Sequence, residues 1–482
     1  MDRRVEPLTD RLGDASRSRF RALWACAFAT ALALLPWRCT GRPPTDIVLI
    51  TVDTLRADHL GLYGYPRATT PNLDRRFATA AIYERAYSTE ASTSPSVASI
   101  LTGLLPQEHR VRLFFQLLGE DVPLVTDLLP AAYQSAAFVS NMVLTDEAMG
   151  LASRFDFFDD FVDEKEPYRE VYERNARRTT DAVLAWLDSA CDPERPLFLW
   201  VHYIDPHGPY HPPDHWKRGF EHEGSRPIPI DRVPEYQREP GVTDGLSYVD
   251  FYDEEVAYVD SELGRLLDEY EKRRSLEQTL VVFTADHGES MMEHERWFTH
   301  GYQVYDEIVR VPLMIKGPGV VGGRHDAPVS LLDIAPTLLR FAGVEPTAAM
   351  GGVDLRSVDS ATLGSRVVYA EATEETSFQV LLQRRAAIHG SLKSVVEITP
   401  PTAEVTRRWS YDLAADPDET DPQPWPEPNP AGEALLELTK LDPDPAGIPA
   451  EYAHGIRIGA PKVAPRAGSK AMERLKALGY AQ

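Results

Sequence analysis

The chain reads as short apolar runs separated by amphipathic stretches. Ile47-Val48-Leu49-Ile50-Thr51-Val52 is continuous and rich in β-branched side chains, the pattern of a strand buried on both faces. Runs at 136–139, 197–201 and 279–284 repeat it, and helical periodicity fills 172–187 and 250–270. Strands alternating with helices predict an α/β fold with a large, doubly wound, mainly parallel sheet. From residue 367 the texture changes to short strand-like pieces at 367–370, 378–382 and 393–398, which predict a smaller C-terminal α+β domain. Residues 421–430 hold five prolines and predict an extended spacer. A short helix is expected at 472–478, stopped by Gly479. The expected division is 1–42, 43–366, 367–420 and 421–482.

The first of these segments has its own pattern. Arg17, Arg19 and Arg21 precede an apolar stretch at 22–35 that ends at Pro36. A charged region followed by so short an apolar one predicts a signal peptide or N-terminal anchor, and hence an exported protein, periplasmic or held at a membrane through residues 22–39. Cys39 just beyond it raises lipidation, although Trp37 and Arg38 are bulky where small residues are wanted. Composition narrows the picture further. With 50 Lys+Arg against 74 Asp+Glu the net charge is −24, and that acid excess argues against a nucleic-acid partner, which needs a basic footprint. The three cysteines, Cys26, Cys39 and Cys191, cannot build a disulfide framework in the body of the chain.

Chemistry-bearing residues follow the apolar runs. Asp53 ends the first run, His202 and Asp205 lie at the end of the third, and Asp286-His287 end the fourth. In open parallel sheets ligands bind beyond the carboxyl ends of the strands, so these residues are expected at one edge. A strand-terminal Asp is a natural ligand for a hard divalent cation, and by itself also a natural helix N-cap. In Glu90-Ala91-Ser92-Thr93-Ser94-Pro95-Ser96-Val97 the chain enters a helix, with Thr93 or Ser94 expected as the cap and Pro95 in the first turn. A hydroxyl there lies near unpaired backbone N–H groups and the positive end of the helix dipole, a setting that favours an oxyanion; a capped helix with no further role fits the same residues. His207, in a Pro-bounded loop, and His300, downstream of Asp286-His287, are each able to protonate a leaving group or to serve as packed loop residues.

Taken in order, these segments resemble the sulfatase family of the alkaline phosphatase superfamily over roughly residues 46–421. The most specific pieces are Thr93 through Gly103, Thr284 through Glu289, and Tyr305-Asp306-Glu307 with Arg310-Val311-Pro312. Leu331 through Thr337, Tyr411-Asp412-Leu413 with Asp416-Pro417-Asp418-Glu419, and the closing Leu475 through Tyr480 support them. The resemblance implies an alkaline phosphatase-like fold in which 43–366 is the catalytic domain. It implies one divalent metal ion (Ca, Mn or Zn) held by Asp53, Asp286 and His287, with Thr93, His207 and His300 as catalytic residues around an anionic ester of a glycan, lipid or small molecule.

The chain also departs from the family. Ordinary members carry Cys or Ser where Thr93 stands, and oxidise it to formylglycine; Thr would yield a ketone at best. Ser94 is out of register with the proline for that modification. The supporting Arg is Val97, the second Asp of a pair is Thr54, and Ser140-Asn141 stand where many members carry Lys and His. Asp53, Thr93, Asp286 and His287 nonetheless match the set of relatives that transfer phosphoglycerol or phosphoethanolamine on a Thr nucleophile, with Asp in place of their Glu. The expected activity is hydrolysis of a sulfate or phosphate ester by Thr93 directly. A phosphoryl transferase, a sulfatase that works without formylglycine and a glycan-binding pseudosulfatase are the alternatives.

Overall fold

A computed structural model describes residues 45–162, 173–213, 216, 218–357, 359–376, 379–399 and 404–442. The leader expected at 1–42, its anchor at 22–39 and the helix at 472–478 lie outside them.

Nine strands make the large sheet. In chain order they are β1 (Ile47–Val52), β2 (Ala81–Tyr87), β3 (Gln134–Val139), β4 (Phe157–Asp159) and β5 (Leu197–Tyr203). They continue with β6 (Leu280–Ala285), β7 (Arg310–Lys316), β8 (Gly323–His325) and β9 (Val329–Ser330). The order across the sheet is β4-β3-β5-β1-β6-β7-β2-β8, with β9 also on β2. From β4 to β6 all pairs are parallel, while β7 runs antiparallel to both neighbours. Every residue of β1, β5 and β6 is buried, which is why these strands read as unbroken apolar runs and not as alternation.

β2 and β7 escaped the sequence pattern for a local reason. Pro312 interrupts β7, and a proline cannot donate to a sheet ladder. It is accommodated because the register with β2 shifts between Tyr83 and Ala86, opposite it, and the Pro312 carbonyl accepts from Thr284 Oγ1 at 2.8 Å.

Helices α1 (Thr93–Thr102), α2 (Ala176–Ser189), α3 (Gly245–Glu271) and α4 (Ile334–Phe341) cover the sheet, α1 packing with α4 and α2 with α3. Asn175 caps α2 by accepting from the Arg178 amide, and Asp244 caps α3 through the Leu246 amide, so both begin later or earlier than periodicity alone predicts. Thr93 is the first residue of α1, not its cap; Ser92 takes the cap position.

The smaller sheet is antiparallel, β10 (Val368–Thr376), β11 (Gln379–His389), β12 (Leu392–Ile398) and β13 (Val405–Asp412) in that order. Its two faces follow strand alternation. Ala386, Ile388 and Val395 join a cluster with Tyr87, Ala91 and Ile308 of the large unit, while Ala387 and Val396 meet Ala431 and Leu435 of α5 (Pro430–Leu441). The proline-rich run runs along the sheet and not away from it. Gln423 pairs with Ser410 of β13, and Trp425 Nε1 donates to the Trp409 carbonyl at 2.6 Å. α5 was not anticipated, although Asn429 as cap, Pro430 at the first position and apolar residues four apart mark it.

Candidate active site

Parallel pairing brings the strand ends level. Val52 is paired with Tyr203 on one side and Ala285 on the other, and Val139 with His202. One ladder step beyond the strands, the Asp53 amide donates to the Tyr203 carbonyl at 2.9 Å and the Asp286 amide to the Val52 carbonyl at 3.4 Å. Asp53 and Asp286 therefore project together from adjacent strands, and His202, paired with Thr51, lies beside them. One ligand atom from each of Asp53, His202 and Asp286 falls within 4.8 Å of the others, and all three residues are fully buried.

Among the described residues Asp53 Oδ1, Asp286 Oδ2 and His202 Nε2 have no hydrogen-bond partner. Orphaned buried polar atoms on two carboxylates are costly unless something positive lies among them. Burial opposes the charge of Asp53, and His202, His207 and His287 more than offset it, so its carboxyl is held well below the usual range. Burial and the charge of Asp53 push Asp286 upward. Two carboxylates and imidazole nitrogen form a donor set suited to a divalent cation, and the residues present fit one.

His287 completes the group. Its Nδ1 lies 2.9 Å from the Gly288 carbonyl, which only accepts, so Nδ1 carries the hydrogen and the Nε2 lone pair faces inward. That Nε2 is 3.7 Å from Asp53 Oδ1 and from Asp286 Oδ2, and 3.3 Å from Thr93 Oγ1. Gly288 is needed here, because a Cβ would lie 2.3 Å from the Glu307 carbonyl.

Thr93 is fully buried, with Oγ1 3.5 Å from Asp53 Oδ2. The serines around it are structural. Ser94 Oγ donates to the Val143 carbonyl at 3.0 Å and Ser96 Oγ to the Asp286 carbonyl at 2.7 Å, tying the first turn of α1 to the chain after β3 and after β6. Val97 is buried in the apolar core. Thr54 sits at φ 51° with its hydroxyl unpartnered among the described residues, a left-handed conformation that is strained for a β-branched residue.

The two loop histidines meet over this group. The His300 ring lies 4.6 Å from that of His287 and 5.2 Å from that of His207. His207 donates Nδ1–H to the Gly208 carbonyl at 2.8 Å, and burial lowers its pKa to about 4. His300 differs. Burial would lower it too, but Nδ1 lies 3.1 Å from Glu289 Oε1, and that hydrogen bond and charge raise its pKa above the ordinary value. Glu289 is itself held by Tyr210, which donates to Oε2 at 2.5 Å.

The fold thus brings Asp53, Thr93, His207, Asp286, His287 and His300 into one buried group. His202, not Asp205, is the β5 residue whose nitrogen joins the two carboxylates. Glu289 and Asn141 belong to the group as well; Glu289 follows Asp286-His287-Gly288 directly, while Asn141 stands where many family members carry another residue. Two other motifs have structural work. Lys393 of β12, fully buried, pairs with Asp306 at 2.9 Å and Glu419 at 2.9 Å, so the Tyr305-Asp306-Glu307 and Asp416 through Glu419 segments fasten the small sheet to the large unit.

Residues 45–344 match the sequence model of the Sulfatase family. The chain belongs to the sulfatase family. Choline-sulfatase of Rhizobium meliloti is 25% identical over 460 residues, covering 85% of this chain and 84% of that protein. Human iduronate 2-sulfatase is 24% identical over 340 residues, covering 58% and 61%. Among solved structures the fold is similar to BT4656 in complex with its substrate D-glucosamine-2-N,6-O-disulfate, with TM-score 0.66 and 20% identity over 83% of this chain and 98% of that one. It is also similar to the phosphonate monoester hydrolase of Agrobacterium radiobacter, with TM-score 0.61 and 19% identity over 82% and 94%. Both likenesses concern the fold, the large mainly parallel sheet with its separate antiparallel C-terminal sheet. Hydrolysis of sulfate esters is the activity that defines the family, and its members use a metal ion.

Proposed function

We propose that this sulfatase-family chain is a metal-dependent hydrolase of sulfate or phosphate esters in which Thr93 attacks directly, without formylglycine. The observation that carries the reading is the placement of the Thr93 hydroxyl, 3.3 Å from His287 Nε2 and 3.5 Å from Asp53 Oδ2, beside a buried cation-type ligand set.

Asp53, Asp286, His287 and His202 would hold the divalent cation. Bound there, it supplies positive charge for ester oxygens and for a hydroxyl losing its proton. Thr93 Oγ1 attacks sulfur or phosphorus in line, and its proton passes to Asp53 Oδ2, 3.5 Å away. His300, whose pKa is raised by the hydrogen bond and charge of Glu289, gives a proton to the leaving oxygen. The Thr93 ester is then opened by water or by an acceptor hydroxyl. His207, neutral above pH 4 or so because of burial, takes that proton. Two imidazoles pushed apart in pKa divide the acid and base roles.

Phosphorus is favoured over sulfur as the reacting centre. Formylglycine expels sulfate through its aldehyde hydrate, and a sulfate ester on Thr93 has no such route. The substrate is an anionic ester, in keeping with the sulfated saccharide bound by the fold relative. Export, periplasmic location and a membrane anchor at 22–39 belong to the same reading. Thr93→Ala is expected to abolish turnover across a panel of aryl sulfates, phosphodiesters and phosphonate monoesters assayed with Mn, Zn or Ca. Unchanged turnover would remove Thr93 from the chemistry and favour a sulfatase that works without formylglycine by another group, whereas a wild type that neither turns over an ester nor binds a divalent ion would favour the glycan-binding reading.

A further inference from the structure

Asn141 lies just past β3, in a turn whose contacts fix both ends of its amide. Oδ1 accepts from the Val143 amide at 3.0 Å, capping the short turn Met142–Leu144. The amide group is thereby oriented, and Nδ2 donates to Asp53 Oδ2 at 2.7 Å, the shortest contact made by that carboxylate. The same turn is held to α1 by Ser94, through the Val143 carbonyl, and its preceding residue to β5 by Ser140, whose Oγ donates to the His202 carbonyl at 2.7 Å. Asn141 is fully buried. Of the two Asp53 oxygens, one is therefore occupied by a neutral donor and the other, Oδ1, is left without a hydrogen bond among the described residues.

We propose that Asn141 is a positioning residue of the cation site: by donating Nδ2–H to Oδ2 of Asp53 it leaves Oδ1, 3.7 Å from His287 Nε2, turned inward as the ligand oxygen. A neutral amide orients the carboxylate without cancelling its charge, as an ammonium group at the same distance would. The inference rests on the cation-site reading above and adds a residue that touches neither the ion nor the ester.

The test is direct titration of Mn2+ into the metal-stripped full chain, followed by electron paramagnetic resonance, with thermal unfolding in EDTA as the check on folding. Asn141→Ser keeps an oxygen able to cap the Val143 amide but is too short to reach Asp53. Asn141→Leu keeps the volume and removes the donor. Loss of one orienting partner weakens metal affinity by about 10- to 100-fold, and both variants are expected to fall in that range. Ser94→Ala, which loosens the same turn without touching Asp53, is expected to leave Mn2+ affinity unchanged. Equal Mn2+ affinity in wild type and Asn141→Ser overturns the role of Asn141 alone. Absence of Mn2+ binding in the wild type overturns the cation site itself, so the two failures are distinct.

Discussion

His207 and His300 lie in the same pocket of charge, with ring centroids 5.2 Å apart, and Glu289 Oε1 lies 3.1 Å from His300 Nδ1. Burial leaves His207 neutral, while Glu289 raises His300. If His300 is the acid, activity is present below its raised pKa and is lost as pH rises through it. The pH profile of kcat/KM should therefore show an alkaline limb above the ordinary imidazole value of about 6.5. Glu289→Gln removes the charge that holds the proton and should move that limb to lower pH, and His300→Asn should abolish it. A limb that stays in place in both variants would assign it to another group. Asp53 and Asp286-His287 were legible because each follows a continuous apolar run, and position after a strand is a local property; Thr93 was legible as the entry to a helix with Pro95 in its first turn. Asn141 was marked only as a departure from the family pattern, and its role was not legible, because its contact spans 88 positions of chain and an Asn after a strand is ordinarily no more than a turn residue.

The turn after β6 and the loop before α1 show how elements aim these side chains. Gly288 passes against the Glu307–Ile308 backbone, its amide donating to the Ile308 carbonyl at 2.6 Å. Gly288→Ala places a methyl group against the Glu307 carbonyl, an overpacking that costs about 1–3 kcal/mol. Its backbone must shift and carry His287 with it. Unfolding midpoints and kcat are expected to fall together, and a variant as active and stable as wild type would show that the turn has room. The loop before α1 is held by the small sheet. The Ala91 amide donates to the Glu371 carbonyl at 3.0 Å and the Glu371 amide to the Thr89 carbonyl at 2.9 Å. Behind that bridge Arg112 pairs with Glu371 and Asp442 at 2.7 Å each, and Arg385 with Asp442. All four charged residues are almost fully buried. Arg112→Met leaves two buried carboxylates short of a partner and should destabilise by about 3–5 kcal/mol, read by urea unfolding. The small sheet thus supports the segment that delivers Thr93. Its first three strands were readable in part from their apolar pieces, but β13, with Thr406, Arg407 and Arg408 exposed, carries too few apolar residues to stand out.

At the scale of the whole molecule, two buried carboxylates side by side are a liability in the folded chain that a cation removes. Binding to the folded state alone adds about 2.7 kcal/mol when the free ion is present at about 100 times its dissociation constant. EDTA should accordingly lower the unfolding temperature of the wild type, and Asp286→Asn should blunt that response. An EDTA-insensitive wild type would argue that no ion contributes to the fold. The sequence by itself determined the class of architecture, since parallel strands buried on both faces must be written as unbroken apolar runs, and it marked the strand ends where Asp53, Asp286 and His287 stand. Tertiary structure alone decided that His202 joins the two carboxylates, that Asn141 orients one of them, that Glu289 separates His300 from His207, and that Ser94 and Ser96 are fastenings. Those choices depend on which strands become neighbours and in what register. Sheet pairing is a long-range property that local periodicity does not encode.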